Sequence, residues 1–249
     1  MRLKIKLSPL NKDGIILPIQ YNEILQGLIY RSLEKGLSAK IHDFGFEDPK
    51  TKRKFKLFTF SRLLSSQRPR FNNGKIHFSG DLALVVASPV KEFIQSLAQS
   101  ILMSEFITFG EEKALLQAVE VLALPNYQEK VFVKTLSPIT VYSTLKTPQG
   151  KKKTYFYSPF EREFEDLIID NLNKKLRALG NKGEFKGAVK PFRVGTRNQR
   201  VILYKNTVIK AWDGIFELSL PKELFEIAFT CGLGAKNSQG FGCIELWEG

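Results

Sequence analysis

The chain opens on a strict alternation, Leu3, Ile5 and Leu7 standing between Arg2, Lys4 and Lys6, the period of two that a half-buried strand requires. The period then changes. From Asn22 to Gly36 the apolar residues Ile24, Leu25, Leu28, Ile29 and Leu33 recur at helical spacing, with Asn22 as a plausible N-cap and Gly36 as a stop. Strand-like runs follow from Phe55 to Leu64 and from Lys75 to Ala87. A helix is expected from Ser88 and Pro89 to about Met103, then a strand near Ala114 to Leu124. After a turn-like stretch at 124–130 the order repeats in pattern, though not in identity. The second pass reads as a strand from Val131 to Thr144, a helix from Pro159 to Leu179 and strands between Glu184 and Leu220. A short helix from Pro221 to Thr230, a glycine-rich loop and a last strand from Phe241 to Trp247 complete it. Strand, helix, strand, strand, helix, strand, read twice, predicts an α+β fold of tandem ferredoxin-like (RRM-like) domains, residues 1–127 and 128–249.

Composition excludes a disordered basic tail, because 43% of residues are apolar and 20 are Phe, enough to fill real cores. Lys and Arg number 38 against 25 Asp and Glu, a net charge of +13. A polyanion is the natural partner, with nucleic acid ahead of a ribosome-like structural role, an anionic membrane surface or simple solubility. The two cysteines, Cys231 and Cys243, and the lack of an apolar N-terminal stretch speak for the cytoplasm over a secreted, disulfide-stapled protein. No apolar run approaches the roughly 20 residues that span a bilayer, so no membrane partner is expected. Two histidines far apart, with no His-Glu-x-x-His or Cys-x-x-Cys, predict no metal and no cofactor. The acidic cluster Glu161, Glu163, Glu165 and Asp166 has a sufficient reason in the dipole of the helix it begins.

The sharpest local signal is Gly232-Leu-Gly234-Ala-Lys-Asn-Ser-Gln-Gly240-Phe-Gly242. It lacks the Gly-Lys-Ser/Thr ending of a P-loop, and it lies between a helix and a strand in the wrong order for a mononucleotide site. Glycines at 232, 234, 240 and 242 would let backbone N–H groups approach a phosphate, with Lys236, Asn237 and Ser238 adding charge and donors. The plainer reading is a tight connection to the last strand, and the glycines alone leave both open.

That motif resembles the C-terminal glycine-rich signature of the Cas6 CRISPR RNA endonucleases. Leu25-Gln-Gly-Leu-Ile-Tyr30 resembles the family's first helix, and Lys56-Leu-Phe-Thr-Phe-Ser61 and Thr135-Leu-Ser-Pro-Ile139 resemble further family segments, so the likeness covers most of the chain. It implies paired ferredoxin-like domains and cleavage within CRISPR repeats, without metal, by a Tyr, His and Lys constellation. By place, these are Tyr30, His42 and Lys56. The implied partners are CRISPR repeat RNA, as precursor guide RNA, and subunits of a CRISPR effector complex.

Part of this stands without the likeness. On a helical wheel Tyr30 falls outside the apolar arc, beside Gln26, Glu23 and Gly27, where it is free to act or to serve as a stacking platform. Of the two histidines, His77 sits in a strand alternation and His42 in a loop, which favours His42 for proton transfer. RNA cleavage by its own 2′-hydroxyl needs a base, an acid and a cation at phosphorus. Lys56 closes a basic run containing Lys52, Arg53 and Lys54, expected to hold RNA. A second field, Lys182, Lys186, Lys190, Arg193, Arg197 and Arg200, interleaves with Phe185 and Phe192 as phosphate tracking with base stacking would require. Lys190, Arg193 and Arg197 are its main candidates. The rival from another class is a non-catalytic RNA-binding subunit, since fold and charge are common to both. No motif reports whether two copies form a homodimer.

Overall fold

Leu3, Ile5 and Leu7 are buried in the first strand, Arg2–Pro9, while Lys4 and Lys6 stay half-exposed, so the alternation does what its period requires. This strand is at the centre of a sheet in the computed structural model, which describes residues 1–11, 13–146 and 150–248. Glu112–Leu122 pairs one side of it and Leu82–Ala87 the other, with Thr59–Phe60 beyond. Phe106–Phe109 extends the far edge as a hairpin with Glu112–Leu122. Numbered within the repeat, the spatial order is 4-1-3-2, the ferredoxin-like arrangement. The second sheet runs Ile244–Leu246, Lys130–Thr135, Ile215–Ser219, Ala188–Arg193, again 4-1-3-2. The tandem ferredoxin-like expectation therefore holds.

Among the described residues five α-helices accompany the sheets: α1 (Asn22–Arg31), α2 (Lys35–Ala39), α3 (Lys91–Leu102), α4 (Arg162–Ala178) and α5 (Lys222–Cys231). The single helix predicted to end at Gly36 is instead two, because the chain stops at Ser32 and turns Leu33 into the core before restarting. Nor is Asn22 a cap. Tyr21 holds that position, and Asn22 is the first helical residue, its side chain buried and used elsewhere.

The run from Phe55 to Leu64 is likewise no single strand. Leu57 adopts a left-handed φ of 49°. Around it Phe55 and Leu57 enter the core of the second half, whereas Phe58 and Phe60 enter the core of the first. Four aromatic and aliphatic side chains in six residues thus cross from one core to the other. The run from Lys75 to Ala87 also divides, into Lys75–Phe78 and Leu82–Ala87. That from Val131 to Thr144 divides into Lys130–Thr135 and Tyr142–Lys146.

Polar side chains lock the halves together. The buried Arg2 guanidinium donates to the Ile244 carbonyl (2.7 Å), Thr59 Oγ1 to the Phe241 carbonyl (3.0 Å) and Ser137 Oγ to the Phe60 carbonyl (2.9 Å). Each satisfies a backbone acceptor that burial would otherwise leave unpaired. Among the described residues no helix is long and apolar enough to cross a membrane.

Candidate active site and glycine-rich joint

Three α1 side chains at helical spacing, Asn22, Gln26 and Tyr30, share one face and build one edge of the site. Tyr30 is half-buried, its ring edge-on to Phe58 (5.6 Å between centroids) and to His42 (5.3 Å). The wheel placed Tyr30 away from the helix's own stripe, yet Phe58 arrives from outside the helix and covers it. Burial raises the phenol above its ordinary value, with Tyr204 adding to the effect. Tyr30 therefore keeps its O–H near neutral pH.

His42 lies in a single turn of π-helix, Lys40–Phe44, that continues α2. Its side chain is exposed, and Nδ1 stands 2.8 Å from Asp43 Oδ1, which fixes the ring and leaves Nε2 free. Lys56 Nζ donates to the His42 carbonyl. Burial lowers the Lys56 ammonium and the Asp43 charge opposes that shift. The structure thus gathers Tyr30, His42 and Lys56 around one turn, and leaves His77 outside on a strand between Ile16 and Arg70. An open cleft in front of Tyr30 and His42 is walled by Gln26, Arg31, Lys35 and Lys205, with the carboxylates of Glu23 and Asp43.

The loop that delivers Lys56 is anchored at Asp48, whose side chain has no exposed surface. Arg177 of α4 grips its carboxylate through Nε (2.9 Å) and Nη2 (3.1 Å), while Thr51 Oγ1 (2.5 Å) and the Lys50 N–H (3.2 Å) also donate to it. The Arg177 hydrogen bonds, with those from Thr51 and Lys50, hold the carboxyl well below the usual carboxylate range despite burial.

The glycine-rich loop is largely buried between the two halves. A Cβ on Gly242 would lie 2.0 Å from the Leu233 carbonyl oxygen, and one on Gly240 2.7 Å from the Phe60 ring. What these glycines admit at close range is the protein's own backbone and rings, the tight-connection reading. Asn22 Nδ2 donates to the Gln239 (2.8 Å) and Gly240 (3.2 Å) carbonyls, and Gln26 Nε2 to the Ser238 carbonyl (2.5 Å). From below, buried Lys175 donates to Gly232 (2.7 Å) and Gly234 (3.3 Å) carbonyls, and burial pushes its ammonium down to about 7. Asn237 is buried too, bridging Leu233 and Phe241. Lys236 and Ser238 keep partial exposure, Lys236 Nζ lying 5.2 Å from the Tyr142 ring centroid.

Between this loop and the Lys56 segment is a cavity of about 190 Å³. Arg53, Lys54, Lys56, Lys175 and Lys236 line it, and among the described residues no carboxylate does. It joins the trio to the glycine-rich loop through Lys56. Lys52 points elsewhere, 3.4 Å from Glu47. In the second field Lys190 and Arg193 are exposed on the outermost strand of their sheet, and Arg197 is exposed in the turn Thr196–Asn198. Arg193 lies over Trp247 (4.7 Å) beside Phe192, itself 4.5 Å from Phe132. Phe185, by contrast, is partly buried against the second core. Among the described residues no group of three or more His, Cys, Asp or Glu is placed to hold a metal ion.

The sequence reading missed the Asn22 and Gln26 supports, the Asp48–Arg177 pair and Lys175. The i, i+4, i+8 polar stripe of α1 was a visible signal for the first two. The others join residues more than fifty positions apart and leave no local trace.

A family model described as CRISPR-associated protein Cas6, N-terminal, matches residues 16–120, and one described as CRISPR associated protein Cas6, C-terminal, matches residues 120–246. The chain is 28% identical over 263 residues to a CRISPR-associated endoribonuclease Cas6 of Pyrococcus furiosus, covering 99% of this chain and 90% of the relative. It is 26% identical over 250 residues to CRISPR-associated endoribonuclease Cas6 1 of Methanocaldococcus jannaschii, covering 98% and 92%. A solved structure of a Cas6-related protein of Pyrococcus furiosus superposes with a TM-score of 0.85 at 22% identity, covering 100% of this chain and 98% of that one. With both halves matched, and the C-terminal model alone spanning half of it, the chain belongs to the CRISPR-associated Cas6 family.

Proposed function

We propose that this chain is a metal-independent endoribonuclease that cuts CRISPR precursor RNA within its repeats. A 2′-hydroxyl attacks the adjacent phosphate, giving guide RNAs with 2′,3′-cyclic phosphate and 5′-hydroxyl ends. The observation that carries this reading is the convergence of Tyr30, His42 and Lys56, the last of which also lines a cavity with Arg53, Lys54, Lys175 and Lys236. The endoribonuclease names of the family relatives support it.

In this reading the half at 1–127 supplies the reacting groups and that at 128–249 the joint and more RNA-holding surface. The nucleophile is already attached to the substrate, so the protein has to move protons and stabilise charge. His42, steadied at Nδ1 by Asp43, exchanges protons at Nε2. Tyr30 keeps its proton, so it orients or donates and does not serve as the base. Lys56 spends one donor on the His42 carbonyl and has two left for a phosphate oxygen. Arg53, Lys54 and Lys236 flank the reacting phosphate, Lys52 adds charge further off beside Glu47, and Lys190, Arg193 and Arg197 track the strand further away. Gly232, Gly234, Asn237, Ser238, Gly240 and Gly242 act by holding Lys236 in place.

Repeat RNA incubated with the protein in EDTA should be cut, and end mapping should find the cyclic phosphate and 5′-hydroxyl. A single 2′-deoxy substitution at the cut should abolish cutting and spare binding. Cutting of that deoxy substrate would rule out the internal nucleophile. Binding with no product from any repeat would make the chain a non-catalytic RNA-binding subunit.

A further inference from the structure

The hairpin formed by Gln199–Tyr204 and Thr207–Trp212 belongs to the second half, yet its tip is fastened to the first. Its loop has two residues, Lys205 and Asn206, with φ of 45° and 60°, between the paired Tyr204 and Thr207. Two left-handed residues in a row are what a type I′ turn needs, and Asn, Asp and Gly favour them. Lysine does nothing for such a turn, so its presence at 205 calls for another reason. The tip is held firmly. Tyr204 is buried and its Oη donates to Gln26 Oε1, while the Leu203 N–H donates to Gln20 Oε1 (3.1 Å). Burial, with the Glu23 charge adding to it, raises the Tyr204 phenol, so the O–H that makes this bond persists. Gln26 also donates to the Ser238 carbonyl (2.5 Å), so one side chain ties α1 to the hairpin and to the glycine-rich loop.

The consequence falls on Lys205. Gln26 stands one helical turn before Tyr30, so pinning Tyr204 there sets its neighbour Lys205 in the cleft in front of Tyr30 and His42. Among the described residues that line this cleft, Lys205 alone comes from the second half. Its ammonium is 3.8 Å from a Glu23 carboxylate oxygen, and both side chains are more than half exposed, a pair too weak to keep it from a phosphate. Asp43, the other carboxylate here, is engaged by His42. Lys56 lines the neighbouring cavity and not this cleft. We propose that Lys205 holds a backbone phosphate of the RNA in this cleft, a neighbour of the reacting phosphate at Lys56, with Glu23 as its resting partner. The site is then composite, the first half supplying the reacting groups and the second a cation that places the strand. This role rests on the RNA-processing reading and adds to it a substrate-holding residue.

The test is Lys205→Asn, which removes the charge and gives the turn a residue it favours, so the melting temperature should not fall. The full chain is titrated with repeat RNA by fluorescence anisotropy at several salt concentrations. Affinity should drop about three- to tenfold, and the log–log salt slope should become shallower by about 0.7, the share of one phosphate on a single strand. Repeat RNAs carrying one uncharged methylphosphonate linkage at each position in turn then locate the contact. One linkage should matter to the wild type and no longer to Lys205→Asn, the others keeping their effects, and Lys205→Arg should restore it. Wild-type affinity and slope in Lys205→Asn, or a loss that leaves every linkage as sensitive as before, overturns the inference. Because affinity is the readout, RNA held with this pattern and never cut would defeat the endoribonuclease reading and leave the Lys205 contact standing. RNA cut normally with no linkage tied to Lys205 would do the reverse.

Discussion

Replacing Arg177 by methionine should loosen the loop that feeds Lys56 into the site, because it strands the Asp48 carboxylate. Asp48 has no exposed side-chain surface and Arg177 is 12% exposed, with two guanidinium hydrogen bonds between them. Breaking a deeply buried pair from one side costs about 3–5 kcal/mol. This pair is covered by little more than one loop, and exposed Lys50 and Lys52 beside it let water in once the guanidinium is gone. The expected loss is therefore smaller, about 2 kcal/mol. For a chain of this size that is a fall in melting temperature of roughly 4–8 °C. The folded carboxyl is held below its unfolded value, so its contribution is complete above about pH 4 and fades as pH falls towards the folded value. Thermal melts of both proteins should show a constant gap near neutrality that closes below about pH 4. Trypsin should also cut between Lys50 and Lys54 sooner in the variant. Equal melting temperatures at neutral pH, or a gap that widens on acidification, would refute the reasoning.

Gly240→Val should lower both melting temperature and RNA affinity more than Lys236→Ala does, since its side chain meets Phe60 and Asn22 at a φ of 84°; melting and anisotropy titration check this, and a valine variant that folds and binds normally would deny the loop its role as a joint. RNA affinity should fall with salt, with a log–log slope of about −3.5 if roughly five phosphates of a single strand are neutralised. Replacing Lys190, Arg193 and Arg197 together by alanine should flatten it, and an unchanged slope would put the RNA elsewhere.

Both sheets were legible because their central strands alternate or are continuously apolar over enough residues to set a period, as Arg2–Pro9 and Leu82–Ala87 are. What failed was continuity. The stretch from Phe55 to Phe60 reads as one strand because apolar periodicity does not say which of two cores a side chain will enter, and here the two cores share it. In the site, Tyr30 and Lys56 came from their place in family segments, and wheel geometry showed only that Tyr30 lay off the helix's own stripe. Its neighbours Phe58 and His42 depend on a crossover and a π-turn that no local pattern encodes. Asn22 was misassigned for a similar reason. A polar residue opening a helix usually caps it, and the carbonyls that draw this side chain inward belong to a loop more than two hundred residues away.

The most direct test of the central claim is the single-turnover rate at which His42→Ala cuts repeat RNA, measured beside His77→Ala and with affinity determined for each. His42→Ala should cut about 10² to 10⁴ times more slowly than the wild type, the usual worth of a positioned acid or base, with affinity within a few-fold, and His77→Ala should be nearly unaffected. Tyr30→Phe and Lys56→Ala should slow cutting too, without multiplying the His42→Ala effect, since the three act as one unit. Wild-type cutting by His42→Ala alone would leave proton transfer to Tyr30 and Lys56, and wild-type cutting by all three variants would contradict the placement of the active site.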